Sequence, residues 1–264
     1  MRRSPPRVLA IGGSDATAGA GIQADLKTCA ARGVYGLSVL TAVTVQDTAR
    51  VHAAHVVPAA LVRAQIEAVL DDVGADAVKT GMLGSAAVAA AVAETLAARR
   101  ARRLIVDPVL RASGGRSLLG PGGLEIVRRR LLPLAEVVTP NLDEAAALVG
   151  FAVRDEHTMT EAVRALVAAG ARAAVVTGGH LSGDAVDVLL VGGTLTVLRA
   201  ARIPGGAPHG TGCTFAAALA AERAKGRSIE AAVRAAKRYT RACIRRAFRL
   251  GRGRSILAHL PARG

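Results

Sequence analysis

The stretch His209-Gly210-Thr211-Gly212-Cys213-Thr214 runs without a break into Phe215-Ala216-Ala217-Ala218-Leu219-Ala220-Ala221. Two glycines separated by a threonine precede an alanine-rich run that reads as a helix. Glycine lets a backbone approach a ligand closely, and the first helical turn presents N–H groups that have no intrahelical partner. With the positive end of the helix dipole, these amides make a site for an anion, phosphate above all. Cys213 sits at that helix mouth, where a thiol pKa is expected to fall. The plainer alternative is a glycine-rich loop leading into a packed helix with a small buried cysteine, and the hexapeptide alone leaves both open.

Outward from this stretch, the composition asks for a particular kind of core. The chain has 264 residues, 51% of them apolar, yet no tryptophan and only 2% aromatics. Its core must be built from Ala, Val, Leu and Ile, which suits buried parallel strands covered by alanine-rich helices. Short apolar runs at Val8–Ile11, Ala77–Thr80, Leu104–Val106, Glu136–Val138 and Ala173–Val176 read as such strands. Helical segments separate them: 22–32, 58–73, 85–100, 121–132, one from Leu142, 159–169, then 211–225 and 229–248. Residues 37–45 and 51–57 read as extended, with a small lid expected near 37–57. Ala185–Val191, Gly192-Gly193 and Thr194–Leu198 read as a β-hairpin. No linker or repeat divides the chain, so residues 1–264 are read as one domain.

The formal net charge is +15, and lysine occurs only at Lys27, Lys79, Lys225 and Lys237. A charge this basic invites nucleic acid. The arginines are scattered, however, stacking aromatics are nearly missing and no zinc or helix-turn-helix signature appears, so no nucleic-acid partner is expected. Three distant cysteines without a CxxC pair fit a reducing compartment. No apolar run reaches spanning length, and no membrane association is expected; the reading is a cytoplasmic protein.

The chemistry gathers at strand ends. Glycine-rich or polar turns follow Ile11, Lys79, Val106, Val138 and Val176, and one precedes Thr211. In a parallel sheet these ends share one edge, so the motifs converge on one cleft. An anion loop with Asp107, Glu144 and Asn141 on that edge suits a magnesium–nucleotide complex, since magnesium takes oxygen ligands and keeps several waters.

In order along the chain stand Ile11-Gly12-Gly13-Ser14-Asp15, Gly19-Ala20-Gly21-Ile22-Gln23-Ala24-Asp25-Leu26-Lys27, Val45-Gln46-Asp47-Thr48 and Lys79-Thr80-Gly81-Met82-Leu83. Asp107-Pro108-Val109, Thr139-Pro140-Asn141-Leu142-Asp143-Glu144, Gly178-Gly179-His180 and the opening hexapeptide follow. In this ordered set the chain resembles the ribokinase-like superfamily, most closely its hydroxymethylpyrimidine and phosphomethylpyrimidine kinases of thiamine biosynthesis. The resemblance implies a three-layer α/β/α sandwich with a central, mainly parallel sheet and a β-hairpin edge. It implies an ATP- and Mg²⁺-dependent kinase acting on 4-amino-5-hydroxymethyl-2-methylpyrimidine and its monophosphate, as a homodimer. Gln46 would hydrogen-bond the aminopyrimidine edge, with Gly13, Ala20, Asp25, Met82 and Val109 lining the substrate pocket. Gly210, Thr211, Gly212 and Cys213 would form the anion hole, with Cys213 as base. Asp107, Asn141, Thr177 and Gly179 would face nucleotide, and Glu144 with Asp107 would hold magnesium.

Each role has a plainer counterpart. Gln46 serves equally to cap a strand end, Met82 to fill core, Glu144 to stabilise its own helix start, and Asp107 to form a turn before proline. His180 and His209 read as structural. Family members carry lysine where this chain has Thr177, and often lysine or serine near Ser113-Gly114; the first loop, Ala16-Thr17-Ala18, also departs from the pattern. Two other readings stand beside the pyrimidine kinase: a pyridoxal or pyridoxine kinase of the same superfamily, and a non-catalytic nucleotide or vitamin binder.

Overall fold

In the computed structural model, which describes residues 4–110, 118–179, 181 and 183–259, nine strands form one sheet. Chain order runs β1 (Arg7–Ser14), α1 (Gly21–Ala31), β2 (Tyr35–Gln46), β3 (Val51–Val56), α2 (Ala59–Asp72), β4 (Ala77–Thr80), α3 (Ala86–Ala98) and β5 (Leu104–Val106). It continues through α4 (Gly123–Ile126), β6 (Val137–Val138), α5 (Leu142–Val149), α6 (Glu156–Ala168), β7 (Ala173–Gly178), β8 (Ala185–Val191), β9 (Thr194–Ala200), α7 (Thr211–Ala224) and α8 (Ile229–Arg245). The sheet order is β3-β2-β1-β4-β5-β6-β7-β8-β9. From β2 to β7 neighbours run parallel, and antiparallel strands close both margins.

The alternation of side chains along each central strand explains the three layers. In β1, Leu9 and Ile11 face one core while Val8 faces the other; in β5, Leu104 and Val106 oppose Ile105; in β7, Ala174 and Val176 oppose Ala173 and Val175. Both faces are therefore buried, as parallel strands require. One core is completed by α2, α3, α5 and α6, the other by α1, α7 and α8. Alanine carries α7: Phe215 to Ala221 are all buried, because small side chains let the helix lie between the sheet and its helical neighbours.

Several expected boundaries hold because their end signals are local. Ser85 caps α3, its hydroxyl accepting from Val88 N at 3.2 Å. Asn141 and Glu144 form a reciprocal capping box on α5. Others shift. The helix expected from Met159 starts at Glu156, since Asp155 and Thr158 close a capping box. The expected 121–132 helix shortens to α4, widens into a π turn over Val127–Leu131 and tightens into a 3₁₀ turn over Leu132–Leu134 at Pro133. The helix expected to reach Phe248 ends at Arg245. Residues 37–57, where a small lid is expected, pair as β2 and β3 at the sheet margin, and their connecting turn lines the cleft. Ser113-Gly114, their loop and His180 lie outside the described residues.

Candidate active site

The carboxyl ends of the parallel strands open onto a cleft of about 800 Å³. Every residue assigned a role from sequence lines it: the ring-side group around Gln46, the phosphate-side group around Cys213, and the nucleotide-side group from Asp107 to Gly179. Gln46 and Cys213 thus face one space from different elements, the end of β2 and the start of α7.

The glycine loop before α7 is shaped by close packing. Gly210 caps α7 with φ +84°, and a Cβ there would lie 2.0 Å from Gly19 O, so only glycine fits. No side chain caps α7, which leaves its first-turn amides directed at the cleft mouth. On the ring side, Met82 Sδ would lie 2.9 Å from a Cβ on Gly13, so the thioether occupies space that the missing side chain leaves.

Beneath the loop lies a buried charge cluster. Lys79 and Asp25 are each 1% exposed, and Lys79 Nζ donates to Asp25 Oδ2 at 3.0 Å while standing 3.7 Å from Asp107 Oδ2. Burial works against the Lys79 charge, but Asp25, Cys213 and Asp107 hold its pKa above the usual lysine value. Burial pushes the Asp25 carboxyl up to about 6, against the pull of Lys79, and raises Asp107 as well. Asp25 Oδ1 and Asp107 Oδ2 have no hydrogen-bond partner.

The expectation that the Cys213 thiol pKa falls at the helix mouth is overturned. Burial pushes it up to about 12; Lys79 favours the thiolate, and Asp107 and Asp25 oppose it. A first helical turn is worth about 1 kcal/mol to a nearby charge, too little against burial beside two carboxylates.

On the nucleotide side, Glu144 Oε2 accepts from Asn141 N at 3.0 Å, so its helix-capping role is real. Its carboxyl is also pushed up to about 8 by burial and by the charge of Asp107. Thr177, at the lysine position, lies against Pro140, whose carbonyl accepts from Thr177 N at 2.9 Å. Arg202 spans this end, donating to Gly179 O at 2.6 Å, Gly183 O at 2.8 Å and Leu181 O.

Sequence reasoning missed Lys79, Asp15, His209 and Arg202 as site residues. A lysine inside the four-residue strand Ala77–Thr80, buried on both faces, needs a buried partner, and that signal was available. The contact of His209 with Asp15 and Gln46 spans 194 and 163 residues, and no local pattern announces it.

This sheet order, with glycine loops and an uncapped helix start at its carboxyl edge, is that of a ribokinase-like small-molecule kinase. The family model described as phosphomethylpyrimidine kinase matches residues 15–258, and the chain belongs to that family. A hydroxymethylpyrimidine/phosphomethylpyrimidine kinase of Streptomyces coelicolor is 51% identical over 256 residues, 97% of this chain and 95% of the relative. A pyridoxal kinase from Bacillus subtilis, solved as an ADP complex, superposes with a TM-score of 0.91 at 38% identity, covering 97% of this chain and 98% of that one. A phosphomethylpyrimidine kinase from Clostridium difficile gives 0.81 at 36% identity, covering 90% and 99%.

Proposed function

We propose that this chain transfers the γ-phosphoryl group of ATP to 4-amino-5-hydroxymethyl-2-methylpyrimidine and then to its monophosphate, for thiamine biosynthesis. The observation that carries this reading is that the residues matched for the ring and for the phosphoryl group line one cleft. In each step an oxygen of the substrate forms a bond to the γ-phosphorus as its bond to the β-phosphate oxygen breaks, releasing ADP. Such transfers need chiefly positioning and charge stabilisation. Amides from Gly210 to Cys213 face the migrating group, and Lys79 supplies a buried positive charge beneath it. For the alcohol step Cys213 takes the proton in its thiolate form, which its raised pKa keeps scarce at neutral pH.

The residues fit magnesium. Asp107 Oδ2 has no hydrogen-bond partner, Lys79 standing 3.7 Å away, and the raised carboxyl of Glu144 adds a second acid on this side. Magnesium takes one or two carboxylates and completes its shell with water and phosphate. Glu144 and Asp107 would hold it, directly or through water, and it would neutralise charge on the ATP phosphates. Arg202 brings positive charge to the end where Thr177 replaces lysine.

The same reading covers residues 1–264 as one kinase domain, in the cytoplasm and as a homodimer. Cys29, Cys213 and Cys243 are unpaired thiols, as a reducing compartment leaves them. No helix among the described residues is long and apolar enough to cross a membrane. The dimer rests on the family resemblance.

One observation favours a second reading: the pyridoxal kinase superposes with the higher TM-score. Phosphate transfer from ATP to both ring systems separates the two. The account expects the higher kcat/KM for the pyrimidine alcohol, then for its monophosphate; a higher value for pyridoxal reverses the assignment. ATP-analogue binding without turnover of any ring leaves a binder.

A further inference from the structure

Inside the cleft, Asp15 and Gln46 meet at one ring nitrogen of His209. His209 Nε2 lies 2.9 Å from Asp15 Oδ2 and 3.0 Å from Gln46 Nε2. Both contacts cannot be donor-to-acceptor as drawn if the nitrogen carries a proton, so the state of Asp15 decides the arrangement.

Asp15 is 4% exposed and its carboxylate is fully engaged as an acceptor. Thr17 N and Thr17 Oγ1 both donate to Oδ1 at 2.9 Å, and Ala20 N donates to Oδ2 at 2.9 Å. Burial alone raises its pKa, but the hydrogen bonds from His209, Thr17 and Ala20 bring it below the usual carboxylate value. An ionised carboxylate only accepts. His209 Nε2 therefore carries the proton and donates it to Asp15, whether the ring is neutral or charged. A second donor, the Gln46 NH₂, has no place 3.0 Å from that N–H. Amide oxygen and nitrogen are assigned by such networks, and here the oxygen belongs on the His209 side.

The other end of the amide agrees. Thr44 Oγ1 donates to Ser14 O at 2.8 Å and stands 3.4 Å from the Gln46 amide. Its hydrogen is spent on Ser14, so toward Gln46 it is an acceptor and calls for the NH₂. With one lone pair on His209 and one N–H on Thr44, the amide retains one acceptor and one donor for a ligand.

We propose that His209, held by Asp15, is a positioning residue that fixes the polarity of the Gln46 amide and with it the ring edge this enzyme accepts. The favoured partner is a ring nitrogen next to an exocyclic amine: the amine donates to Gln46 Oε1 and the ring nitrogen accepts from Gln46 Nε2. Turning the ring over does not repair a reversed amide, because the reacting hydroxymethyl group must still point to Cys213. A pyridine ring without an adjacent amine offers no such pair. The inference rests on the reading of Gln46 as the ring contact. Gly19 completes the device, since a Cβ there would come within 2.7 Å of His209 Cδ2 and displace the imidazole.

The test is steady-state kinetics on His209→Leu, His209→Gln, Gly19→Ala, Gln46→Ala and the Gln46→Ala/His209→Leu double variant. His209→Leu is expected to raise KM for the pyrimidine alcohol about tenfold, the effect of one lost positioning hydrogen bond, with kcat moving far less and KM for ATP unchanged. His209→Gln, which keeps an N–H donor of similar reach, should restore most of the loss, and Gly19→Ala should reproduce it without touching Gln46. In the Gln46→Ala background His209→Leu should add nothing. An unchanged KM in His209→Leu, no rescue by glutamine, or additive effects in the double variant would overturn the inference while leaving the ring contact standing. An unchanged KM in Gln46→Ala removes the ring contact itself, and the inference with it. Nitrogen-15 NMR gives a reading free of turnover: Nε2 of His209 must be protonated at neutral pH, and an unprotonated Nε2 contradicts the proposal.

Discussion

The two ends of α7 carry buried acids with very different numbers of cations around them. At its carboxyl end Glu222 is 0% exposed among three cations: Arg32 and Lys225 lie within 3.1 Å of Oε1, and Arg227 stands 3.0 Å from Oε2, an oxygen that has no hydrogen-bond partner. The neighbouring Arg223 grips Glu136 with two hydrogen bonds of 2.7 and 2.6 Å. Burial opposes the Glu222 charge, but Arg32 and Lys225 hold its pKa below the usual range. At the amino end one lysine serves two aspartates and a thiol, two carboxylate oxygens lack partners, and the acids and the thiol are all pushed up. The difference is in cations: three surround one acid at the carboxyl end, while one serves two acids and a thiol at the amino end. Buried acids short of cations are a feature of sites that take charged ligands.

The sharpest way to break this contrast is Lys79→Met. It leaves Asp25 and Asp107 buried without a cation and is expected to cost about 3–5 kcal/mol of stability by urea denaturation. Adding Asp25→Asn should recover part of the loss. A cost below about 1 kcal/mol would mean the two acids are already neutral.

Cys213→Ala should lower turnover roughly 100-fold with little change in the urea midpoint. The thiol lies near 12, so its thiolate fraction grows as pH rises. Single-turnover transfer by the wild type should therefore climb by roughly tenfold per pH unit above neutrality, at saturating magnesium so that Glu144 does not contribute. The variant should lose that slope; a flat wild-type profile would reassign the proton acceptor.

Glu222→Gln is the counterpart at the carboxyl end. It should cost about 2 kcal/mol of stability, the worth of a hydrogen-bonded buried charge, and leave kcat/KM unchanged. Lost turnover at normal stability would erase the distinction between the two ends. The smallest effect is expected from Thr177→Lys: KM for ATP should fall severalfold, in line with a partly screened charge-assisted bond. An unchanged KM means that Arg202 already fills the role.

Much of this organisation was readable from residues alone, for a physical reason. Strand-ending glycines and helix caps such as Ser85 and Asn141 act within a few positions, so they mark where the chain turns and which edge gathers the loops. Partnerships across the sheet are invisible at that range. Lys79 meets Asp25 over 54 residues, and Asp15, Gln46 and His209 converge from three loops. The Cys213 thiol went the other way from its local expectation because tertiary burial outweighs a helix terminus. The helix expected over 121–132 breaks up because propensity does not report a π turn before Pro133.

In the proposed function, transfer occurs at the amino end of α7, with the ring on Gln46. A crystal structure with the pyrimidine alcohol and a non-hydrolysable ATP analogue tests it directly. The account predicts the amine-bearing ring edge on the Gln46 amide, the hydroxymethyl oxygen beside Cys213 Sγ, and the terminal phosphate over the amides of Gly210 to Cys213. A terminal phosphate bound away from that helix start, or a ring that leaves Gln46 untouched, would contradict it.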